Sequence, residues 1–200
     1  PSTGWVPILV SAVSASTIAR NREYRSTLLL AQTVAERYPS DAARYMLGME
    51  LNRAGSFDEA VSELRQAAPR ETRAYYPLGV TLFNQGRLDE ALDAFHQYVV
   101  AQPHLFEVLS ARDLMGQAYA RKQQWNEAAD QYRTLIQMKP AESAYHGQLA
   151  ECLFNLEKYR EAADEYTLYL EKRPSDIDAL TNLGLAMVVL GRPHEASSTF

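Results

Sequence analysis

Apolar residues along the chain recur with helical spacing, in segments separated by short polar or glycine-containing breaks. A typical segment is YYPLGVTLFNQGR, residues 75–87, in which apolar side chains follow the i, i+3, i+4, i+7 pattern before a glycine. This spacing places the apolar side chains on one face of an α-helix. A glycine after the last apolar residue favours a left-handed helix C-terminus. The pattern predicts an all-helical chain built of helix-turn-helix hairpins.

The hairpins repeat along the chain. Residues 55–60 read GSFDEA and residues 86–91 read GRLDEA, so a glycine, a large apolar residue and Asp-Glu-Ala occur twice in the same order. The alanine of this phrase recurs five times with separations of 31, 37, 34 and 34 residues, at Ala60, Ala91, Ala128, Ala162 and Ala196. A period of this length is typical of a helical repeat array. The phrase is predicted to open the second helix of each hairpin, with its acidic residues near the positive end of the helix dipole.

Other positions keep the same register. Thirteen residues before each alanine lies a large apolar residue, and a small one follows it: Leu47-Gly48, Leu78-Gly79, Met115-Gly116, Leu149-Ala150 and Leu183-Gly184. Four residues after each alanine lies a bulky one: Leu64, Phe95, Tyr132, Tyr166 and Phe200. The small residues and the alanines are predicted to lie where the two helices of a hairpin approach closely. One hairpin cannot bury its own apolar face, so the copies are expected to stack into a continuous core.

These residues resemble the tetratricopeptide (TPR) repeats, most clearly at 111–140 and 144–174. The resemblance implies an all-α fold, an α-solenoid in which helix-turn-helix hairpins form a right-handed superhelix. The repeats are placed at 41–71, 72–108, 109–142, 143–176 and 177–200, the last of them incomplete. The first repeat is short, with Pro69 closing its second helix early, and the second carries three extra residues around 104–109.

Residues 1–40 are interpreted as an N-terminal apolar helix followed by a degenerate repeat. Residues 22–39 resemble the back half of a repeat that ends at Pro39. The uncharged, mostly apolar residues 5–19 have two interpretations. They form either a helix that caps the array or the end of a membrane helix that provides membrane attachment, although about 20 residues are needed to span a bilayer.

Residues 17–26, TIARNREYRS, are similar to the junction between the last membrane helix and a TPR array in multi-pass, glycosyltransferase-like membrane proteins. In such families the repeats are extracytoplasmic. Arg20, Arg22 and Arg25, by contrast, favour the cytoplasmic side under the positive-inside rule. The two indications disagree, so the side of the membrane stays open, and a cytoplasmic location is the alternative to membrane association.

Charge and motifs exclude several function classes. The net charge of −5 gives no basic field for nucleic acid. The four histidines show no metal-ligand spacing, and no glycine-rich phosphate loop is present. The single cysteine, Cys152, is expected to be a small buried hydrophobe. The sequence therefore predicts no catalytic residues, no metal and no cofactor, and the protein is not expected to be an enzyme.

The resemblance implies that the first helices line a concave groove. The side chains expected to point into it are Tyr45, Met49, Tyr76, Val80, Phe83, Asp113, Gln117, Glu151 and Phe154. The set is apolar toward one end and acidic or hydrogen-bonding toward the other. A partner protein or peptide segment with an apolar end and a basic or donor-rich end is therefore expected. The Lys, Asn and Arg that form the family's clamp for C-terminal carboxylates are absent from these positions.

Two functions are compatible with these features of the sequence. The first is a protein-protein interaction scaffold that binds a partner segment in the groove, as a subunit or domain attached to a membrane complex. The alternative is the non-catalytic TPR tail of a multi-pass membrane glycosyltransferase-like enzyme.

Overall fold

The structure is a computed structural model and describes residues 27–101 and 105–196. Every regular element in these two ranges is helical and none is a strand, which confirms the predicted all-α fold. The chain forms two compact units, Pro1–Gly86 and Arg87–Phe200.

In the first unit, residues 27–37 are helical (α1), ending two residues before Pro39. They are followed by α2 (Asp41–Ala54), α3 (Phe57–Ala67), a 3-10 turn (Thr72–Ala74) and α4 (Tyr75–Asn84). Helix α2 begins with a side-chain cap, because the Ala43 N–H donates to Ser40 Oγ at 3.2 Å. Helix α3 packs against both α2 and α4. It ends two residues before Pro69, as the early proline predicts.

The second unit contains α5 (Leu88–Ala101), α6 (Leu105–Arg121), α7 (Trp125–Met138), α8 (Ala144–Asn155), α9 (Tyr159–Leu170), α10 (Ile177–Val189) and α11 (Pro193–Ala196). Each of these helices packs against the next one in the chain, and α10 also contacts α8. Helix α6 starts at Leu105, earlier than the repeat boundary placed at residue 109. Residues 105–108 therefore lengthen a first helix instead of extending the preceding repeat.

The repeated phrase opens the second helices, as predicted. The bulky residue three positions before each alanine is the first residue of a helix in four hairpins: Phe57, Leu88, Trp125 and Tyr159. The four alanines that follow are fully buried: Ala60, Ala91, Ala128 and Ala162. Second helix α7 ends at Met138, two residues before Pro140, because proline disfavours helix at the residue that precedes it. Helix α9 ends at Leu170, four residues before Pro174.

The small residues of the first helices lie at close helix contacts. A Cβ on Gly48 would lie 2.6 Å from Cγ of Leu64, and a Cβ on Gly116 would lie 2.7 Å from Cζ of Tyr132. In both hairpins the partner is the bulky residue four positions after the alanine. The close approach predicted from the sequence register is therefore confirmed for α2 with α3 and for α6 with α7.

The turn after each first helix requires a left-handed backbone. Gly55, Gly86 and Gly191 adopt it with φ of 83°, 75° and 73°. Gln123 and Glu157 occupy the equivalent turns after α6 and α8, with φ of 59° and 60°. A side chain in this region meets a steric penalty that glycine lacks.

We expect Glu157→Gly to stabilise the protein by about 0.5–1 kcal/mol, because relief of the left-handed strain outweighs the greater backbone freedom of glycine in the unfolded chain. Urea unfolding of the variant and the parent measures the difference. Glu171→Gly is the control, because Glu171 is an exposed residue with right-handed helical backbone, where glycine should not stabilise. A Glu157→Gly variant less stable than the parent contradicts the role of strain.

Within the ranges that the structure describes, no helix is both long enough and apolar enough to cross a bilayer. Residues 5–19, the candidate membrane attachment, and residues 17–26, which carry the resemblance to a membrane junction, lie outside those ranges. Cys152 is buried, as predicted for a small hydrophobe.

Candidate functional site

The predicted groove residues of the first unit lie on two first helices. Tyr45 and Met49 are on α2, and Tyr76, Val80 and Phe83 are on α4. The C-terminal halves of the two helices are adjacent, as shown by a hydrogen bond of 2.9 Å from Thr81 Oγ1 to Asn52 Oδ1. Asn52 is seven residues after Tyr45, so it lies on the same face of α2 as Tyr45 and Met49.

The exposure of these side chains separates them into two groups. Tyr45, Met49, Tyr76 and Val80 are partly exposed. Phe83 is only 4% exposed and belongs to the core, so it does not offer a surface to a partner. The Arg73 guanidinium lies over the Tyr45 ring, with Cζ 5.3 Å from the ring centroid. The accessible surface in the first unit is therefore formed by two tyrosines, a methionine and a valine.

Asp113 and Gln117 lie one turn apart on α6. Gln117 Nε2 donates to Asp113 Oδ2 at 3.2 Å, while Asp113 Oδ1 is buried and has no hydrogen-bond partner. Asp113 lines a cavity of about 320 Å³ together with Phe106, Leu109, Ser110, Leu114, Lys139 and Tyr145. Burial raises the pKa of Asp113, and the bond from Gln117 opposes this rise only in part.

We expect Asp113→Asn to raise the urea midpoint at neutral pH, and this gain should disappear in acid. The pKa of Asp113 is higher in the folded state than its value of about 3.9 in the unfolded state. The contribution of this carboxyl to folding stability is therefore fully present below about pH 3.9, and it is lost as the pH rises through the folded-state pKa. Asparagine removes the ionised form and can still accept the Gln117 bond. Urea unfolding of both proteins at neutral and acidic pH measures this. If Asp113→Asn changes the urea midpoint by the same amount at both pH values, the effect does not come from ionisation of Asp113.

A larger groove lies between α8 and α10, with α9 beneath it. Its volume is about 540 Å³, and its walls are formed by Ala144, Gly147, Gln148, Glu151, Tyr166, Tyr169, Asp176, Asp178, Ala179, Thr181 and Asn182. Of the predicted site residues, Glu151 is in this wall. Gly147 and Thr181 are also in the wall, and each lies two residues before the large member of its large-small pair, so they occupy the same repeat position in α8 and α10.

Two tyrosines of α9 are held by hydrogen bonds at the base of this groove. Tyr169 donates its hydroxyl proton to Asp176 Oδ2 at 2.6 Å, and Asp176 Oδ1 caps α10 by accepting the Ala179 N–H at 3.1 Å. Asn182 Nδ2 donates to the Tyr166 hydroxyl at 3.1 Å. A Cβ on Gly147 would lie 2.9 Å from Cδ2 of Tyr169, so the ring packs directly against the α8 backbone. These contacts connect α8, α9 and α10 around the groove.

The groove carries negative charge. Glu151, Asp176 and Asp178 are in its wall, and none of its described lining residues is basic. The bond from Tyr169 lowers the pKa of Asp176, so this carboxylate is ionised at neutral pH. That same bond raises the pKa of Tyr169, and burial raises the pKa of Tyr166 to about 12, so both phenols stay neutral.

Phe154 is placed differently from Glu151, although both are on α8. Its ring meets the Tyr159 ring edge to face, with centroids 5.3 Å apart and planes at 80°. It is partly buried against the core of the second unit and does not line the 540 Å³ groove. Phe154 therefore packs across the turn between α8 and α9.

Several groove residues were not predicted from the sequence, namely Gln148, Tyr166, Tyr169, Asp176, Asp178 and Asn182. The repeat register carries a signal for two of them. Gln148 and Asn182 each precede the large residue of a large-small pair, so they occupy the same position in consecutive first helices. The register of Tyr166 predicts only a core residue, and Tyr169 and Asp176 lie outside the repeated positions.

Metal-ligand clusters and the single cysteine are two further chemical features to consider in residues 27–101 and 105–196. No group of three or more His, Cys, Asp or Glu side chains is arranged there to hold a metal ion. Burial raises the pKa of the Cys152 thiol to about 12, so it is not a reactive thiolate.

Comparison with known proteins gives consistent matches to one fold. The tetratricopeptide repeat model matches residues 45–105 and 114–177. A crystal structure of MamA protein superposes with a TM-score of 0.70 and 20% identity, over 80% of this chain and 87% of that chain. A MamA RS-1 ArsTM double mutant superposes with a TM-score of 0.66 and 22% identity, over 84% and 95% of the two chains.

At this level of identity, the structural likeness to MamA shows the fold alone. No curated protein matches the sequence. The matches give no support to the resemblance with a glycosyltransferase-like membrane protein. The repeat model covers more than half of the residues. The chain therefore belongs to the tetratricopeptide repeat family.

Proposed function

We propose that this protein is a non-catalytic interaction module that binds a segment of a partner protein along the inward faces of its first helices. Membership of the TPR family supports a role as a protein-interaction scaffold. Each stacked hairpin adds one first helix to such a surface, so an array presents a row of side chains that an extended or helical segment can follow.

The observation that carries this proposal is the groove between α8 and α10. It is open, its base is held by the Tyr169-Asp176 and Tyr166-Asn182 hydrogen bonds, and its wall contains Glu151. A preorganised groove loses less conformational entropy on binding than a flexible surface does. This supports recognition of a segment in a defined orientation.

The first unit contributes a surface of different character. Tyr45, Met49, Tyr76 and Val80 are partly exposed apolar or aromatic side chains on neighbouring first helices. Aromatic residues and methionine are enriched at the cores of protein interfaces. We therefore propose that apolar residues of the partner bind in the first unit and that basic or donor-rich residues bind in the second.

Attachment to a membrane complex through residues 5–19 is a separate part of this proposal. It is supported by the apolar, uncharged composition of that segment.

Site-specific photo-crosslinking in the source cells tests the interaction surface. We expect a photoreactive phenylalanine derivative at Val80 or at Glu151 to produce a crosslinked partner, because both positions lie on the proposed surface. The same derivative at Ser62 or Asp164, exposed positions on second helices α3 and α9, should not. Crosslinks to the same partner from Ser62 and Asp164, and not from Val80 or Glu151, would place the interaction on the opposite face.

A further inference from the structure

We propose that the groove between α8 and α10 binds an arginine or lysine side chain of the partner segment, next to an apolar residue of the same segment. This inference rests on the proposed function, because it names the chemistry of the segment that the groove recognises. It concerns the second unit only, in which the groove and all its described lining residues lie.

The carboxylates of the groove give it a charge complementary to a cation. Glu151, Asp176 and Asp178 form no direct ion pair among the described residues, although the charge of Arg173 helps to lower the pKa of Asp176. Other carboxylates of the second unit are in direct ion pairs: Glu90 with Arg87, Asp89 with Lys122 and Asp130 with Arg133. Three carboxylates around one concave space concentrate a negative potential, which attracts a cation and repels an acidic segment.

The base of the groove is aromatic. The Tyr169 ring is fixed by Gly147 on one side and by its hydroxyl bond to Asp176. Arg173 already lies against this ring, with Cζ 5.9 Å from the centroid, and it does not line the groove. Because Arg173 already makes the cation-π contact with this ring, an incoming side chain would pack its apolar stem against the tyrosines and place its charge at the carboxylates. The groove thus combines an aromatic surface with carboxylates, which suits the long apolar stem and charged head of arginine or lysine.

An apolar surface continues the groove along α10. Thr181 is in the groove wall, and Leu185 and Val188 follow it at helical spacing on the same face. These two side chains are 50% and 54% exposed. A segment that places its cation near Glu151 can therefore place an apolar side chain against Leu185 and Val188. Partly exposed apolar residues beside charged ones are typical of an interface that is apolar at its centre and polar at its rim.

Nuclear magnetic resonance titration with blocked alanine-based heptapeptides tests the inference. The probe peptide carries one arginine and one leucine, and its matched control carries citrulline, the uncharged analogue of arginine, in place of arginine. We expect the arginine peptide to shift the amide resonances of Gly147, Thr181 and Asn182 and to bind at least about tenfold more tightly than the citrulline peptide, because its hydrogen bonds are charge-assisted. Added salt should weaken binding of the arginine peptide but not binding of the citrulline peptide.

Two double variants separate this site from general electrostatics. Glu151→Gln with Asp178→Asn should remove most of the preference for arginine over citrulline. Glu157→Gln with Asp164→Asn changes the net charge equally at exposed positions of the same unit outside the groove, and should retain the preference. Circular dichroism confirms that both variants fold.

Equal affinity of the arginine and citrulline peptides at Gly147 overturns the cation inference and leaves the groove as a peptide site. Absence of any shift at these residues with millimolar arginine peptide also overturns it. In that case the photo-crosslinks from Val80 and Glu151 decide the proposed function independently. If both double variants lose the preference for arginine over citrulline to the same extent, the preference comes from net charge, and the proposed cation site is wrong.

Discussion

Tyr132→Ala is expected to lower the free energy of unfolding of the second unit by about 3–5 kcal/mol, the range for truncation of a buried aromatic side chain. Tyr132 is 2% exposed, and its ring lies against the Gly116 backbone where α6 and α7 approach each other. Removal of the ring leaves a cavity at the close contact of a hairpin. Urea unfolding followed by circular dichroism measures the loss.

Gly116→Val tests the same contact from the opposite side. A Cβ at this position would lie 2.7 Å from Cζ and 3.0 Å from the hydroxyl of Tyr132, so a branched side chain must displace the ring or separate the helices. Overpacking of this kind costs about 1–3 kcal/mol or more. In the Tyr132→Ala background the valine enters the cavity, so the double variant should be more stable than the sum of the single effects predicts, by about 1–3 kcal/mol.

The fourth repeat shows what a single added methyl group does at this kind of contact. There the small residue is Ala150 and its bulky counterpart is Tyr166, and both are buried. One methyl group can therefore be accommodated by a small adjustment of a hairpin, and the higher helix propensity of alanine offsets part of the cost. Gly116→Ala should accordingly be much milder than Gly116→Val. Additive effects of Gly116→Val and Tyr132→Ala contradict the proposed contact.

Simultaneous Tyr45→Ala and Tyr76→Ala substitution is expected to weaken partner binding by about 2 kcal/mol or more, a loss of roughly 30-fold in affinity. Both tyrosines are partly exposed on first helices of the first unit, where they are the aromatic residues of the proposed surface. Titration of the crosslinked partner, once isolated, against the parent and the double variant measures the change.

Tyr38→Ala is the matched control for this double variant, because Tyr38 is an exposed tyrosine of the same unit outside the proposed surface. Its removal should leave affinity unchanged. Thermal unfolding separates binding from stability, since Tyr45→Ala also removes the contact with Arg73. Unchanged affinity of a folded Tyr45→Ala and Tyr76→Ala double variant would exclude the first unit from the interface.

The helices and their close contacts could be predicted from the sequence because they depend on local spacing. Phe57, Leu88, Trp125 and Tyr159 begin second helices at a fixed distance before a buried alanine. Proline and glycine mark helix ends through their own backbone preferences, which do not require knowledge of the rest of the chain. The pairing of Gly48 with Leu64 follows from the same register.

Other features could not be predicted in this way. Gln123 and Glu157 adopt left-handed backbone although neither is a residue that favours it, because the packing of the hairpin determines the turn. Phe83 has the spacing of a groove residue, yet the structure buries it, since burial depends on which elements surround a position. Spacing assigns a side chain to a face of a helix, but it does not decide whether that face meets solvent or a neighbouring helix.

The sequence alone therefore determined the repeated hairpins, their helix boundaries and the small residues at their contacts, because these arise from interactions within about 34 residues of chain. Only the tertiary structure decided which polar side chains share one groove. Glu151, Tyr169, Asp176 and Asp178 come from α8, α9, the turn that precedes α10 and α10 itself, and the packing of those helices brings them together. The physical reason is that helix packing converts separation along the chain into proximity in space, and local periodicity carries no information about that distance.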